Sequence, residues 1–311
     1  MINVNGERFV VTGGSGFIGG HIVEELLRQD KSVVNFDNGL SASPYKPIFN
    51  GYKSYTYHRA DIRDMFVATT IRGADVIFNE ACGKCTVCRD DPWGDLTTNA
   101  YGTMRVAFCA NDIGAKVVHA STGSVYGDCN NQIETNQYSP KSFYGVSKLA
   151  GEQYLRAFKE YYGLRFVGLR YFHVFGPRQD SGPNGGVVAI FATKILRGEP
   201  IQIYGDGEQA RSFTYVKDVV EANFLSANSE SMEGDYFNVA SGVRITLNQL
   251  IESIERITGK KAIREYRTAR KGDIRDFHVS NSKIAAQGMD KWTSFEDGLE
   301  ETVRWYHDNS A

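Results

Sequence analysis

Tyr144 and Lys148 stand four residues apart in Tyr144-Gly145-Val146-Ser147-Lys148, a spacing that on a helix puts a phenol and an ammonium on one face. Such a pair suits proton transfer to and from a hydroxyl group. A phenol with the usual pKa of about 10 is a poor base at neutral pH, and lowering it by about three units takes roughly 4 kcal/mol of differential stabilisation. A neighbouring ammonium acts in that direction. A Tyr-x3-Lys pattern also arises by chance, with the tyrosine in a core and the lysine on a solvated face. What raises this one is Ser121-Thr122-Gly123-Ser124-Val125-Tyr126-Gly127 just upstream, where Thr122 and Ser124 put hydroxyls at the end of an expected strand. Hydroxyls at the carboxyl end of a parallel strand face the crevice where ligands bind. Hydroxyl, phenol and ammonium together suffice for reversible oxidation at one carbon.

A second constellation reads as a dinucleotide cradle. Gly13-Gly14-Ser15-Gly16-Phe17-Ile18-Gly19 follows an expected strand and opens an expected helix. Two registers fit, Gly13/Gly16/Gly19 at three-residue spacing and Gly14/Gly16/Gly19 as GxGxxG. In either, missing side chains permit a tight turn and let backbone N–H groups reach a pyrophosphate at a helix N-terminus. A glycine pattern alone is weak, but the strand–turn–helix context is the right one. A second strand ends at Asp37, 18 residues past Gly19. Its carboxylate can accept from the adenosine ribose hydroxyls and repels a 2′-phosphate; Asn38 and Gly39 supply no compensating arginine. These features favour NAD, against the plainer reading of Asp37 as a turn cap.

The elements that must position these groups alternate as short β-branched runs and longer helical stretches. That rhythm predicts an α/β fold, a Rossmann-like doubly wound parallel sheet with a smaller C-terminal α/β substrate-binding domain. Expected strands are Arg8–Thr12, Ser32–Asp37, Ser54–Arg59, Val76–Asn79, Val117–Ser121 and Phe166–Tyr171; expected helices are Phe17–Gln29, Ala100–Asp112 and Ser147–Tyr161. After Gly176-Pro177 the pattern loosens. Residues 1–176 are assigned to the NAD-binding domain and 177–311 mainly to the smaller one, with returns to the sheet at Phe213–Asn223 and Tyr236–Val239.

The 311 residues are 41% hydrophobic, with 32 Gly, 7 Pro and a net charge of −2. That balance gives no broad basic field for nucleic acid and no membrane-seeking surface, and no run of about 18 apolar residues exists to span a bilayer. Five cysteines point to a reducing cytoplasm. Cys82-x2-Cys85-x2-Cys88 resembles part of an iron–sulfur ligand run, but Asp91-Pro92 follows where the fourth cysteine belongs. Packing or substrate-side thiols are the expectation there, and no metal.

Taken together, the ordered matches Thr12–Gly19, Asp37-Asn38, Asp61-Ile62-Arg63-Asp64, Ser121–Gly127, Tyr144–Lys148, Leu169–Gln179, Ile203–Asp218 and Arg270–Asp273 resemble an extended short-chain dehydrogenase/reductase of the NAD-dependent nucleotide-sugar epimerase/dehydratase group. The resemblance covers nearly the whole chain. It implies that Asp61 and Ile62 hold the adenine, that Lys84 and Phe172 lie near the cofactor, and that Asn99 supports Lys148, which bridges the nicotinamide ribose and Tyr144. It also implies that Val187 and Val188 open a helix near the substrate diphosphate, that Gln202 and Tyr204 flank the base, and that Arg211 and Arg270 clamp phosphates, a task suited to the planar guanidinium fork. A homodimer through helices 100–112 and 147–161 is implied as well.

Within that group, the residues after the catalytic threonine discriminate between reactions. A 4,6-dehydratase carries Asp-Glu there and a decarboxylase carries Glu in place of Ser124; this chain has Gly123-Ser124. What remains fits a 4-epimerase of UDP-glucose and UDP-galactose, in which Tyr144 takes the 4-hydroxyl proton while hydride passes to NAD⁺, with Thr122 and Ser124 holding the same oxygen. The alternatives are a 2-epimerase, a reductase or an atypical dehydratase, and outside enzymes a non-catalytic NAD-binding regulator, against which the intact Thr122, Tyr144 and Lys148 argue. Three departures from the pattern stand out: Asn79-Glu80-Ala81-Cys82 for His-Leu-Ala-Ala, His173 for Asn beside the diphosphate, and Ser212 for Asp after Arg211. Each is either a neutral packing change or an adjustment to an unusual substrate. Counting four residues past Asp273 gives Phe277, beside the sugar C2 substituent in related epimerases, where a phenyl ring leaves no room or hydrogen bond for an acetamide.

Overall fold

The computed structural model describes residues 1–40, 49, 51–64, 67–83, 86–269 and 278–309. Its main sheet has seven strands: β1 (Arg8–Thr12), β2 (Ser32–Asp37), β3 (Tyr55–Arg59), β4 (Val76–Asn79), β5 (Lys116–Thr122), β6 (Phe166–Tyr171) and β7 (Tyr236–Val239). Their spatial order is β7-β6-β5-β4-β1-β2-β3, and every neighbouring pair is parallel. Helices cover both faces, so central strands such as β1 and β4 are buried on both sides and read as unbroken apolar runs.

Alternation along β1 shows how the layers divide. Phe9 and Val11 pack with Ile22, Val23 and Leu26 of α1 (Phe17–Arg28), while Val10 faces the opposite core with Val106 and Ala110 of α2 (Thr103–Ile113) and Leu155 of α3 (Phe143–Tyr162). A third apolar cluster joins α4 (Val187–Arg197), α6 (Leu247–Thr258) and α7 (Phe295–Asn309), with Ile201 and Ile203 among its buried members. The strand registers pair Thr12 with Phe36 and with Asn79, and Thr122 with Tyr171, so the carboxyl ends of the central strands gather along one edge of the sheet. No helix among the described residues is long and apolar enough to cross a membrane.

Three expected elements change. The helix expected from Ser147 begins at Phe143, because the Ser142 hydroxyl accepts from Gly145 N at 3.0 Å and starts the helix one turn earlier. The helix expected from Ala100 is preceded by helical turns from Pro92, capped by Asp91 and passing through a π-turn at Thr97–Gly102; its Thr- and Gly-rich composition hid them. Phe213–Asn223 does not return as a strand of the main sheet. Thr214–Tyr215 pairs only with Val174–Phe175, and α5 (Val216–Asn228) then lays Val219, Val220 and Phe224 onto the sheet beside α1. The β-branched run suggested a strand, but its buried positions follow a helical period.

Candidate active site

The glycine turn leaves β1 with Gly13 at φ 69°, and Gly13 N donates to the Phe36 carbonyl at 2.8 Å. A Cβ on Gly13 would lie 2.8 Å from Ala81 N, and one on Gly19 would lie 2.3 Å from the Gly13 carbonyl oxygen. Side chains are therefore excluded where β1, the β4 loop and α1 converge. Gly16 begins α1 without a side-chain cap, and the first turn, with Phe17 and Ile18, has no acidic residue. Its N–H groups and the positive end of the helix dipole are left for an anion.

Asp37 closes one side of this turn. Its carboxylate accepts from Ser15 N at 3.0 Å and Gly39 N at 2.7 Å, so it both caps the turn and walls the cleft. Asp61 is gripped by Arg63 through Nε and Nη2, at 2.8 and 2.7 Å, and by Asn38 Nδ2 at 2.9 Å. Burial opposes ionisation of Asp61, but these hydrogen bonds outweigh it and hold the carboxyl at about 2. Ile62 is buried against the same wall.

At the other end, Lys148 is buried, donates to the Ala120 carbonyl at 2.9 Å, and lies 6.0 Å from the centre of the Tyr144 ring. Tyr144 and Lys148 face a cleft of about 400 Å³ that runs from Gly13 past Asp37 and Asp61. The Thr122 hydroxyl sits 3.2 Å from that of Ser124 and accepts from Ser124 N at 3.2 Å, which fixes both side chains at the end of β5. One residue earlier, the Ser121 hydroxyl donates to Glu152 at 2.5 Å. Glu152 forms a fully buried ion pair with Arg170, at 2.7 Å, and Tyr126 and Tyr138 accept from the same guanidinium.

One expected cofactor-side contact differs. No hydrogen bond joins Asn99 to Lys148 among the described residues. Asn99 donates to Asp95 at 2.9 Å and to the Ser147 hydroxyl at 3.0 Å, and accepts from Gly83 N at 2.9 Å, because the π-turn aims it at the start of α3. The Phe172 ring packs behind Gly123 against Tyr126, whose ring centre is 6.5 Å away, in a small apolar cluster with Val125 and Ala240.

On the substrate side, α4 starts at Val187 after Gly186, but the Val188 side chain points into the third core. Gln202 and Tyr204 share the strand Ile201–Tyr204, their side chains 3.4 Å apart. Arg211 lies on the strand Ala210–Ser212, with Nη1 2.7 Å from the Ala210 carbonyl. His173 adopts φ 38°, an uncommon backbone state for a residue with a side chain, and its ring meets Phe213 edge-on at 6.1 Å. Lys84, Arg270, Asp273 and Phe277 lie outside the described residues, as does Cys85; Cys82 and Cys88 line the cleft.

A family model described as the NAD dependent epimerase/dehydratase family matches residues 9–240. The chain belongs to this family. It is 34% identical over 314 residues to a UDP-glucose 4-epimerase of Mycolicibacterium smegmatis, covering 97% of this chain and 99% of that protein. Among solved structures it resembles a UDP-N-acetylglucosamine 4-epimerase of Methanobrevibacter ruminantium in complex with UDP-N-acetylmuramic acid (34% identity, TM-score 0.91, 97% and 99% of the two chains). It also resembles a UDP-glucose 4-epimerase of Thermus thermophilus in complex with NAD (34%, TM-score 0.87, 98% and 99%).

The epimerase/dehydratase chain is thus an NAD-dependent nucleotide-sugar enzyme with a Rossmann-like sheet. Its residues fit NAD: the turn carries glycine at 13, 14, 16 and 19, the start of α1 is uncapped, and the cleft joins both to Tyr144 and Lys148. Among the cleft residues to which the sequence assigned no role are Arg63, Glu80, Asp95 and Tyr171. Arg63 falls inside the Asp61–Asp64 match, and Glu80 inside a departure from the expected pattern, so both had a signal. Burial raises the Asp95 carboxyl, whose partners Asn99 and Ser147 come from two separate helical segments. Tyr171 falls inside the Leu169–Gln179 match, but its contacts gave no signal, since its partners Glu80 and Asn223 are 91 and 52 residues away.

Proposed function

We propose that this chain is a 4-epimerase interconverting UDP-glucose and UDP-galactose through a 4-keto sugar. The observation that carries the reading is the Thr122–Ser124 hydroxyl pair at the end of β5, on a turn whose Ser124 carbonyl packs against Gly145, next to Tyr144 on the helix of the Tyr144–Lys148 pair, and whose Gly123-Ser124 lacks the carboxylates of a dehydratase or decarboxylase. Bound NAD supplies a reversible hydride acceptor. Tyr144 takes the proton of the sugar 4-hydroxyl and gives it back when the keto sugar is reduced on its other face. The ammonium of Lys148 stabilises the phenolate, and Thr122 and Ser124 hold the reacting oxygen.

In this reading Gly13, Gly16, Phe17, Ile18, Gly19, Asp37, Asn38, Asp61 and Ile62 cradle the adenosine diphosphate half of NAD, with Lys84 and Phe172 near its other half and Asn99 positioning α3. His173, the backbone at Val187 and Val188, Gln202, Tyr204, Arg211, Arg270 and Asp273 meet the UDP moiety, and Phe277 excludes an acetamide at C2. Residues 1–176 form the cofactor domain, with the 213–240 segment returning to it, and 177–311 mainly the substrate domain. Exposed apolar side chains on the helical stretch 92–113 and on α3, including Tyr101, Phe108, Val146, Tyr154 and Tyr161, support a homodimer through those helices. The five cysteines, an odd number, suit a reducing, cytoplasmic location.

Incubating the protein with UDP-glucose, UDP-galactose, UDP-glucuronate, UDP-N-acetylhexosamines and dTDP-, CDP- and GDP-sugars, with products read by NMR, tests the reading. UDP-glucose and UDP-galactose should interconvert, and Phe277→Ser should gain kcat/KM on the acetylated sugars. Turnover of another sugar nucleotide alone, or equal wild-type efficiency on acetylated and unacetylated sugars, overturns the assignment.

A further inference from the structure

Glu80 follows the last residue of β4 and lines the cofactor cleft, only 9% exposed. Its neighbours determine which of its oxygens can carry a proton. Asn223 of α5 donates through Nδ2 to the Val219 carbonyl and to the Tyr171 hydroxyl, each at 2.8 Å. Turning that amide over would set Oδ1 against the carbonyl, so the Tyr171 oxygen accepts from Asn223 and its own proton goes to Glu80 Oε1, at 2.9 Å. Oε1 is therefore held as an acceptor. A proton on Glu80 must sit on Oε2, which meets no hydrogen-bonding partner among the described residues, and Glu80 itself lines the cleft.

Among the described residues, the groups around Glu80 leave its charge weakly compensated. Lys148 of α3 is the cation among them whose field reaches it, Tyr171 of β6 is kept neutral by burial, and α5 contributes the uncharged Asn223. Cys82 follows on the same loop, and α1 brings the apolar Phe17 and Ile18 to the cleft wall. Burial lifts the Glu80 carboxyl to about 7, with the Tyr171 hydrogen bond and Lys148 pulling the other way.

We propose that Glu80 takes up a proton from solvent when the dinucleotide enters the cleft, and then presents Oε2–H to the cofactor as a hydrogen-bond donor. A dinucleotide brings a diphosphate and a net negative charge. An ionised carboxylate in the same poorly solvated cleft opposes that charge, whereas the neutral acid adds a directed donor. By linkage, affinity for NAD then falls as pH rises through the carboxyl's free-state value, by up to about tenfold per pH unit for one linked proton. The inference rests on NAD occupying this cleft.

The test is calorimetry of NAD binding to the full-length, NAD-stripped chain at about pH 8, in buffers of different ionisation enthalpy. All arms carry Tyr144→Phe, because NAD⁺ also acts on that phenol. The Tyr144→Phe chain should take up close to one proton, and the Tyr144→Phe/Glu80→Gln chain should take up none and bind NAD with little dependence on pH. Equal proton counts in the two proteins, or none in the first, overturn the inference while leaving the cofactor site intact; absence of any NAD binding heat overturns the cofactor reading with it. The NAD-loaded wild type gives an independent check at the same pH. Its infrared spectrum should show a protonated-carboxyl C=O band that Glu80→Gln removes, and a wild-type spectrum without that band is a refutation.

Discussion

Glu152 and Arg170 form an ion pair with both side chains at 0% exposure, directly behind Ser121 and hence behind Thr122. Arg170 donates to Glu152 through Nε at 2.9 Å and Nη2 at 2.7 Å, and its guanidinium lies 4.8–5.0 Å from the rings of Tyr126, Tyr138 and Tyr236. Glu152→Leu removes both charge-assisted bonds and leaves a guanidinium buried among aromatic rings with only hydroxyl acceptors. Stranding one member of a buried pair costs about 3–5 kcal/mol, or roughly 100- to 4,000-fold in the folding equilibrium constant. Replacing both partners, as in Glu152→Leu/Arg170→Met, removes the stranded charge and should recover part of that loss. Urea unfolding at one fixed, saturating NAD concentration measures both, since bound cofactor contributes equally to each protein whose site is intact. Turnover should fall in the single variant, because Ser121 loses its acceptor and the Thr122–Ser124 turn loses its backing. A single variant within about 1 kcal/mol of wild type, or a double variant no more stable than the single, would refute the reasoning.

Tyr144→Phe should abolish turnover with fold and bound NAD retained, and Thr122→Val should lower kcat roughly 10²-fold through one lost hydrogen bond; more than about a tenth of wild-type activity in Tyr144→Phe removes the base assignment. Asp37→Ala should weaken NAD retention and relax discrimination against NADP, and it should also cost about 1 kcal/mol because Ser15 and Gly39 lose their acceptor; a preference of the wild type for NADP contradicts the reading. For Glu80, burial raises the folded-state value from 4.5 to about 7. Its contribution to stability is therefore full below about 4.5 and is lost as pH rises to about 7, a change of about 3 kcal/mol in the NAD-free protein. Urea midpoints of wild type and Glu80→Gln across that range should converge or diverge accordingly, and parallel pH profiles would exclude it.

Most of the scaffold was legible locally. Strands Arg8–Thr12, Ser32–Asp37, Val76–Asn79 and Phe166–Tyr171 appear with the bounds expected, because β-branched runs buried on both faces between helices carry a strong signal. The Ser147 start of α3 and the Ala100 start of its neighbour were wrong for local reasons, a serine cap and a π-turn, which apolar periodicity does not register. Phe213–Asn223 failed because β-branching and helical burial point in opposite directions there.

By itself the sequence determined the glycine turn, the acidic end of β2, the Tyr144–Lys148 spacing and the hydroxyls after β5, all of which depend on residues within about one turn or one strand of each other. The tertiary structure decided which buried polar groups meet. Asn99 reaches Ser147 across 48 residues, Arg170 reaches Tyr126 across 44, and Glu80 reaches Tyr171 across 91. No local pattern encodes such pairings, since they come from the order in which parallel strands are laid side by side. The same burial that brings these groups together sets their protonation, because desolvation depends on everything packed around a group rather than on its neighbours in the chain.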